Sequence, residues 1–484
     1  MKILMATSEF SPLGSTGDLG DQVHILTAEL KRLGHDVSVV MPFYRSIREG
    51  KLNFRSSDLD FQVNLGGKRA SGDIVETTTQ EGILVYLVRR DEYFDRSGIY
   101  SADGRAYEDN AERFIFFAKA VLELADRLTP APELIHCHDW PTALVPVFVT
   151  DRQLPFQTVL TIHDLEFQGS FWSFDFSLTG LPGTYFGPRG VEFYGRLNFL
   201  KGGILSADAV TFPGEVALFE AFSPQRAFGL DGVLQENRHH LFGIPHGVDY
   251  SQTNPPFEKL FDKREKTGPI CDKAGAREAL LEQLELKKNP KGIVIDLPIE
   301  PHDGAAFNSF EPIFDLVLTA DTCVVVTGTA PDLDVTGLII AERKYPACFA
   351  YRPEADAKLH QAALAGADVV LLPSSLGFRG SNAIAAMRYG TPPIVKSTGG
   401  VHQLVSDYDP GNDAGCGFVY KANSPLALWD AVQRANELYQ RPDEWNKLAS
   451  RAKSVDFSWA ESAKAFAKLY AGLLRHRPAK VAAA

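Results

Sequence analysis

The sequence predicts an α/β protein made of two doubly wound domains, each with a mostly parallel sheet, that face each other across a cleft. Its 484 residues are more than one hydrophobic core ordinarily serves. Short apolar runs of strand length alternate with segments of helical periodicity in both halves of the chain. A stretch rich in Pro, Lys and Asp, residues 251–272, separates the two halves and is typical of a linker.

The chain opens with a strand, a glycine-rich turn and a helix. An apolar run covers residues 3–6, and the turn Gly-Ser-Thr-Gly-Asp-Leu-Gly-Asp covers residues 14–21. Apolar residues then recur at helical spacing as far as Gly34, which is placed to end the helix. Such a unit opens doubly wound sheets, and its helix start favours anions because unpaired N–H groups point there. A tight turn without a ligand is the alternative interpretation.

Polar residues follow two later strands of the first half, predicted at residues 134–138 and 158–162. In order along the chain they are Asp139, Trp140, His163 and Asp164. The carboxyl ends of neighbouring parallel strands form the ligand-binding edge of an open sheet, so these positions predict a binding site. The alternative for His136, for His138 and for Trp140 is an ordinary place in the hydrophobic core.

The other elements complete the alternation. In the first half we predict further strands at 37–41 and 82–88 and a helix at 111–128. In the second half we predict strands at 292–295, 323–326, 348–350, 368–372 and 393–395, and a helix at 383–389. An amphipathic helix closes the chain from about Ser458.

Composition excludes several function classes. The 49 basic and 61 acidic residues give a net charge of −12, which argues against nucleic acid or an anionic membrane as a partner. The five cysteines show no CxxC spacing, so we expect neither a disulfide framework nor a metal site. The start resembles no signal peptide and no apolar run is long enough to cross a membrane, so we expect a cytoplasmic protein.

Several blocks of sequence are close to those of one enzyme family. They are 2–9, 16–21, 138–140, 161–169, 198–203, 243–249, 365–368, 388–391, 398–400 and 457–459. On these blocks the chain resembles bacterial glycogen synthases and plant starch synthases, which are retaining glycosyltransferases of GT-B fold that use ADP-glucose. The resemblance implies an N-terminal domain at 1–250, a linker at 251–272 and a C-terminal domain at 273–456. It also implies that a terminal helix, 457–484, crosses back onto the first domain.

The resemblance also implies the roles of site residues. His163 occupies a catalytic position. Substrate-binding positions are Asp21, His138, Asp139, Trp140, Asp164, Gln168 and His246. Donor-phosphate positions are Gly17, Asp18, Arg379, Gly380, Thr398, Gly399 and Gly400. No cofactor and no metal are expected.

The chain departs from the family at positions that bind the donor. Three cations of the family are replaced, and the residues found instead are Ser15, Pro298 and Asp303. The second glycine of the first turn is Asp18, and the family's active-site glutamate falls on Gly377. Negative charge builds on the leaving diphosphate during glucosyl transfer, so these losses remove transition-state stabilisation. Arg379 is a candidate replacement cation.

Two hypotheses follow. The first is an inactive or strongly impaired pseudo-glycosyltransferase of glucan metabolism that acts by binding or scaffolding. The alternative is a working glycogen synthase that transfers glucose from ADP-glucose, or another donor, to the non-reducing end of an α-1,4-glucan. The expected ligand under the first hypothesis is an α-glucan such as a maltooligosaccharide or glycogen, with negligible binding of ADP-glucose. No particular protein partner is indicated.

Overall fold

The computed structural model describes residues 1–50, 52–224, 226–248, 255–261, 272–288, 290–299, 310–330, 333–373, 380–397, 401, 404–421 and 424–475. The chain forms two compact units. The first unit comprises Met1–Gly247 and the segment from Trp459 onward, and the second comprises Val248–Ser458.

The first unit is built on a nine-stranded sheet. The strands of the unit are β1 (Lys2–Ala6), β2 (Asp36–Pro42), β3 (Arg55–Leu65), β4 (Lys68–Thr78), β5 (Leu84–Arg89), β6 (Ser101–Ala102), β7 (Arg105–Ala106), β8 (Leu134–His138), β9 (Gln157–Thr161), β10 (Ser170–Phe171), β11 (Glu192–Phe193), β12 (Arg196–Asn198), β13 (Ala209–Pro213) and β14 (Leu241–Ile244). The large sheet has the order β14-β13-β9-β8-β1-β2-β5-β4-β3. Its first seven strands are parallel, as the alternating pattern predicts.

The antiparallel strands β3 and β4 at the edge of this sheet were not predicted. Along β3 the buried residues Phe61, Val63 and Leu65 alternate with exposed Gln62 and Asn64. This period of two belongs to a strand with one solvated face, unlike the continuous apolar runs of the parallel strands. Searching only for such runs therefore misses these strands.

Helices cover the sheet of the first unit. They are α1 (Asp18–Arg32), α2 (Arg45–Arg48), α3 (Asp91–Phe94), α4 (Asn110–Arg127), α5 (Leu144–Asp151), α6 (Phe176–Thr179), α7 (Phe199–Ser206), α8 (Glu215–Ala221) and α9 (Asp231–Glu236). Two small sheets, β6-β7 and β10-β12-β11, complete the unit. Helix α1 ends where the sequence predicts, with Gly34 in the left-handed region at φ 85°.

The second unit contains a six-stranded, all-parallel sheet of order β17-β16-β15-β18-β19-β20. Its strands are β15 (Val294–Pro298), β16 (Cys323–Thr327), β17 (Phe349–Arg352), β18 (Val369–Leu372), β19 (Pro393–Lys396) and β20 (Phe418–Tyr420). Its helices are α10 (Phe257–Leu260), α11 (Lys273–Gln283), α12 (Phe314–Thr319), α13 (Val335–Lys344), α14 (Ala357–Gly366), α15 (Ser381–Arg388), α16 (Pro425–Tyr439) and α17 (Pro442–Ser454). The five strands predicted for this half lie within three residues of those observed.

The terminal helix α18 (Trp459–Arg475) belongs to the first unit and packs against α1. Ser462 Oγ donates to the carbonyl of Pro245 at 2.6 Å. A Cβ at Gly247 would lie 2.2 Å from Cα of Trp459, so only glycine allows the two segments to approach this closely. None of the described helices is both long and apolar enough to cross a membrane.

Candidate functional site

The carboxyl ends of β8 and β9 bring several of the predicted site residues together. These strands pair in parallel, with His138 beside Thr161. His138 Nδ1 lies 3.1 Å from His163 Nε2, and His163 Nδ1 lies 2.8 Å from Oε1 of Gln22 on α1. The two strand ends are thereby joined to the helix that follows the glycine-rich turn.

These contacts fit one arrangement of the ring hydrogens. With Gln22 Oε1 facing His163 and a neutral His163 ring, His163 Nδ1 donates to Gln22 and His163 Nε2 accepts from His138 Nδ1. His138 Nε2 is then a buried acceptor, and it has no hydrogen-bond partner among the described residues. Burial lowers the pKa of His138 to about 3, so this ring is neutral at pH 7. His163, the predicted catalytic residue, uses both nitrogens in this network.

Asp139 directly follows β8 and fixes the backbone of the next strand end. Its Oδ1 accepts from the N–H of His163 at 2.7 Å. Burial of the carboxyl raises the pKa of Asp139 to about 7, although backbone hydrogen bonds from His163 and Asp164 oppose the shift. The backbone of Asp139 has a φ of 55°, which L-residues seldom adopt. Strain of this kind is concentrated at functional sites.

Two more histidines extend the cluster. The ring of His246 lies 4.9 Å from that of His163 and 5.3 Å from that of Trp459, measured between centroids. The ring of His136 stacks at 4.2 Å on that of His138. His136 Nε2 lies 2.6 Å from Thr161 Oγ1, and its Nδ1 lies 2.7 Å from the hydroxyl of Tyr470. His136 is therefore a hydrogen-bonded core residue, one of the alternatives that the sequence left open.

Trp140 is half-buried in an aromatic cluster rather than freely displayed. Its ring centroid lies 4.8 Å from that of Phe114 and 5.6 Å from that of Phe171. Gly169 lies directly against the indole, since a Cβ on this residue would be 2.6 Å from Trp140 Cε3. The φ of Gly169 is 61°, which also favours glycine. Trp140 thus carries much of the local packing, whatever it contributes to binding.

The remaining substrate-binding predictions have different surroundings. Gln168 Oε1 accepts from Asn198 Nδ2 at 2.7 Å, and Gln168 Nε2 donates to the carbonyl of Phe228 at 3.0 Å. Asp164 is exposed, and its Oδ1 accepts from the N–H of Glu166 at 2.8 Å. Asp21 is exposed in the first turn of α1. The side chain of Gln168 therefore holds two loops together.

The carboxylate of Glu9 holds the glycine-rich turn by hydrogen bonds. Glu9 is buried, and its Oε2 accepts from the N–H of Thr16 at 2.6 Å. Its Oε1 accepts from Thr16 Oγ1 at 3.0 Å and from the hydroxyl of Tyr100 at 2.8 Å. Ser15 Oγ donates to the carbonyl of Gly17 at 2.6 Å. The turn is thus held by Glu9, which precedes it, and by its own hydroxyl groups.

Two carboxylates lie at the start of the helix that follows this turn. Helix α1 begins at Asp18, and its first turn also contains Asp21, while Gly17 precedes it without a side-chain cap. Carboxylates at a helix N-terminus stabilise the helix, since they satisfy the positive end of its dipole. The same groups repel a second anion, whereas the lysine that the family resemblance places at position 15 would attract one.

Only some of the predicted donor positions in the second unit lie among the described residues. Pro298 ends β15 and is buried. Gly380 precedes α15 in the left-handed region at φ 65°, and a Cβ there would lie 2.3 Å from Leu404 Cδ1. The other donor predictions, Asp303, Gly377, Arg379, Thr398, Gly399 and Gly400, lie outside the described residues.

The sequence analysis missed three residues that hold the site together. They are Glu9, Gln22 and Tyr100. Glu9 could have been found, because it follows the apolar run of β1 just as His163 follows that of β9. Gln22 lies on a helix face and Tyr100 lies in a loop, and neither position carries a local pattern that indicates its partner.

Comparison with known proteins identifies the family. Residues 2–236 match the profile of the starch synthase catalytic domain, and residues 315–452 match that of group 1 glycosyl transferases. Glycogen synthase 2 of Geobacter sulfurreducens is 32% identical over 476 residues, which cover 97% of this chain and 98% of that protein. The chain belongs to the glycogen synthase and starch synthase family. Glycogen synthase of Koribacter versatilis is 33% identical over 481 residues, covering 97% and 98% of the two chains.

Solved structures confirm the GT-B fold of this glycogen synthase homologue. The catalytic domain of starch synthase IV from Arabidopsis thaliana, bound to ADP and acarbose, superposes with a TM-score of 0.68 at 24% identity. The match covers 98% of this chain and 99% of that one. At this identity the likeness concerns the fold, two Rossmann-like domains, and not the chemistry.

Proposed function

We propose that this glycogen synthase homologue binds an α-glucan at the carboxyl edge of its first unit and has lost, or almost lost, glucosyl transfer from ADP-glucose. The observation that carries the proposal is the pair of replacements in the turn before α1. Ser15 stands at a position where the family has lysine, and Asp18 stands where it has glycine.

The physical cost of this arrangement is large for a diphosphate. Two unit charges about 5 Å apart at an effective dielectric of roughly 20 interact by about 3 kcal/mol before screening. Each unit of positive charge lost at the turn weakens donor binding by an energy of that order. Loss of one preorganised contact to a developing charge costs a further ~2.7–4 kcal/mol in the transition state. The backbone N–H groups at the start of α1 are too weak to offset such losses.

The histidine and aspartate cluster favours a neutral ligand instead. His138 is uncharged at pH 7 because burial lowers its pKa to about 3. Burial also raises the pKa of Asp139 to about 7, so that its carboxyl is partly protonated at that pH. The hydroxyl groups of a sugar bring no charge that such an uncharged environment would have to neutralise. A glucan suits this edge of the sheet better than a phosphate does.

A working glycogen synthase is the second candidate, and the comparisons favour it. The relatives from Geobacter sulfurreducens and Koribacter versatilis are curated as glycogen synthases and match along nearly their whole length. The fold neighbour from Arabidopsis thaliana binds ADP and acarbose. In this candidate Arg379, or Lys396 at the end of β19, would replace the missing cations.

Calorimetric titration of the full chain with ADP, ADP-glucose and maltoheptaose tests the proposal, together with transfer of labelled glucose to glycogen. Glycogen synthase 2 of Geobacter sulfurreducens serves as the active control. We expect maltoheptaose to bind at millimolar strength, ADP to bind negligibly, and incorporation to stay at the level without protein. Micromolar ADP affinity or incorporation above that level would establish the second candidate.

A further inference from the structure

Four exposed aromatic side chains border the small sheet β10-β12-β11 of the first unit. They are Trp172, Phe174, Tyr194 and Phe228, and we call them the aromatic rim. Trp172 directly follows β10, and its ring packs at a tilt against that of Phe174 with centroids 4.4 Å apart. Tyr194 lies in the turn between β11 and β12. Gly229, next to Phe228, lies against Tyr194, since a Cβ there would be 3.7 Å from Tyr194 Cε2.

Two of these rings belong to residues whose backbone has a positive φ. Tyr194 and Gly195 form a two-residue hairpin turn with φ of 49° and 75°. Such turns favour Asn-Gly, and a bulky residue with positive φ is unusual. Phe228 has a φ of 48°. Tyr194 is 82% exposed and Phe228 is 47% exposed, so burial of their rings offsets little of this strain. Strain held at exposed aromatic residues points to a binding role.

The hairpin that carries Tyr194 is firmly anchored. Lys201 is buried, and its ammonium donates to the carbonyls of Pro188 at 2.7 Å, Gly190 at 3.0 Å and Glu192 at 2.6 Å. Glu192 Oε1 in turn accepts from the N–H of Gly195 at 2.8 Å. A preordered ring loses little conformational entropy when a ligand stacks on it.

The aromatic rim is continuous with the candidate site. Gln168, one of the predicted substrate-binding residues, donates from Nε2 to the carbonyl of Phe228 at 3.0 Å. On the other side, Phe171 of β10 lies directly before Trp172 and packs on Trp140 at 5.6 Å. A chain-like ligand that occupies the strand ends could therefore extend onto the rim.

We propose that the aromatic rim binds a more distant part of the same α-glucan chain. This inference rests on the proposed function and adds to it a second contact region for long glucans. The C–H groups on one face of a glucose ring pack on aromatic rings, and aromatic anchors dominate the energetics of such contacts. Polar groups for the sugar hydroxyls lie nearby, since the exposed Arg196 donates from Nε to Ser170 Oγ at 2.9 Å.

A double variant of the full chain, Tyr194→Asn with Phe228→Asn, tests the inference. Asparagine tolerates the left-handed backbone, so we expect the melting temperature to be unchanged or higher. Retardation by glycogen in affinity gels should weaken about fourfold to a hundredfold, which corresponds to about two- to tenfold for each ring. Phe219→Gln provides the control, because Phe219 is 63% exposed on α8, outside the rim.

The outcomes separate this inference from the proposed function. Unchanged glycogen affinity in the double variant overturns the inference. If the oligomeric state of that variant changes at the same time, the rim is a protein interface instead. If the wild-type chain binds no glucan, both fall. Weakened glycogen binding in the double variant supports the inference. If His163→Ala then leaves glycogen affinity intact, only the proposed site at the strand ends is wrong.

Discussion

The histidine and aspartate cluster and the glycine-rich turn lie at the same sheet of the first unit, yet their chemistry differs. In the cluster, burial keeps His138 neutral and raises the pKa of Asp139 to about 7. In the turn, Asp18 and Asp21 are exposed at the start of a helix. Gln22 joins the two regions through its hydrogen bond to His163. The regions are therefore close in space and differ only in their chemistry. Under the proposed function, the comparison shows a family fold that retains the surroundings of a sugar and loses those of a diphosphate.

The largest expected effect comes from restoring the donor cations. The variant Ser15→Lys, Asp18→Gly, Pro298→Arg and Asp303→Lys changes the charge at these positions from −2 to +3. We expect ADP affinity to rise by about a thousandfold or more, equivalent to ~4 kcal/mol, because each unit of charge contributes about 3 kcal/mol before screening. Calorimetric titration with ADP measures this change in affinity.

The matched control for this variant carries Gln in place of each new Lys and Arg, which preserves side-chain size without charge. Equal ADP affinity in the charged and uncharged variants would show that charge does not distinguish the two regions. Turnover should remain absent until Gly377→Glu is added as well, since the resemblance places the family's active-site carboxylate at this position.

Trp140→Ala sharpens the comparison on the sugar side. Trp140 packs on Phe114 and Phe171, so we expect a loss of about 3 kcal/mol in the free energy of unfolding. Urea denaturation followed by circular dichroism measures this loss. The exposed Trp172→Ala is the control and should change stability by less than about 0.5 kcal/mol. Equal losses in the two variants would place Trp140 outside the core.

The smallest effect is a change in pH dependence. The folded pKa of Asp139 is about 7, whereas an unfolded aspartate titrates near pH ~3.9. As pH rises between these values the unfolded state loses its proton first, so this group lowers the stability of the fold progressively up to about pH 7. Asp139→Asn should remove a fall of about 2 kcal/mol between pH 5 and 8. Identical pH profiles of wild type and variant would mean that the carboxyl is not desolvated.

Much of the fold could be predicted because its signals are local. The strands of a parallel sheet are continuous apolar runs, and the five predicted in the second half lie within three residues of those observed. The family match then confirms the two Rossmann-like domains of a GT-B fold. The site residues at 138, 139 and 163 could be located in the same way, because each stands at or just past the end of such a run.

By itself, then, the sequence determined the alternation of strands and helices and the strand ends at which polar residues collect, and it predicts the loss of the donor cations. Only the tertiary structure decided which groups meet. Gln22 and His163 are 141 positions apart, and His136 and Tyr470 are 334 positions apart. The tertiary structure likewise decides that Trp140 packs on Phe114 and that Tyr194 is exposed on its turn. Periodicity reports the neighbours of a residue along one element, whereas partners so distant in sequence are set by how the elements pack.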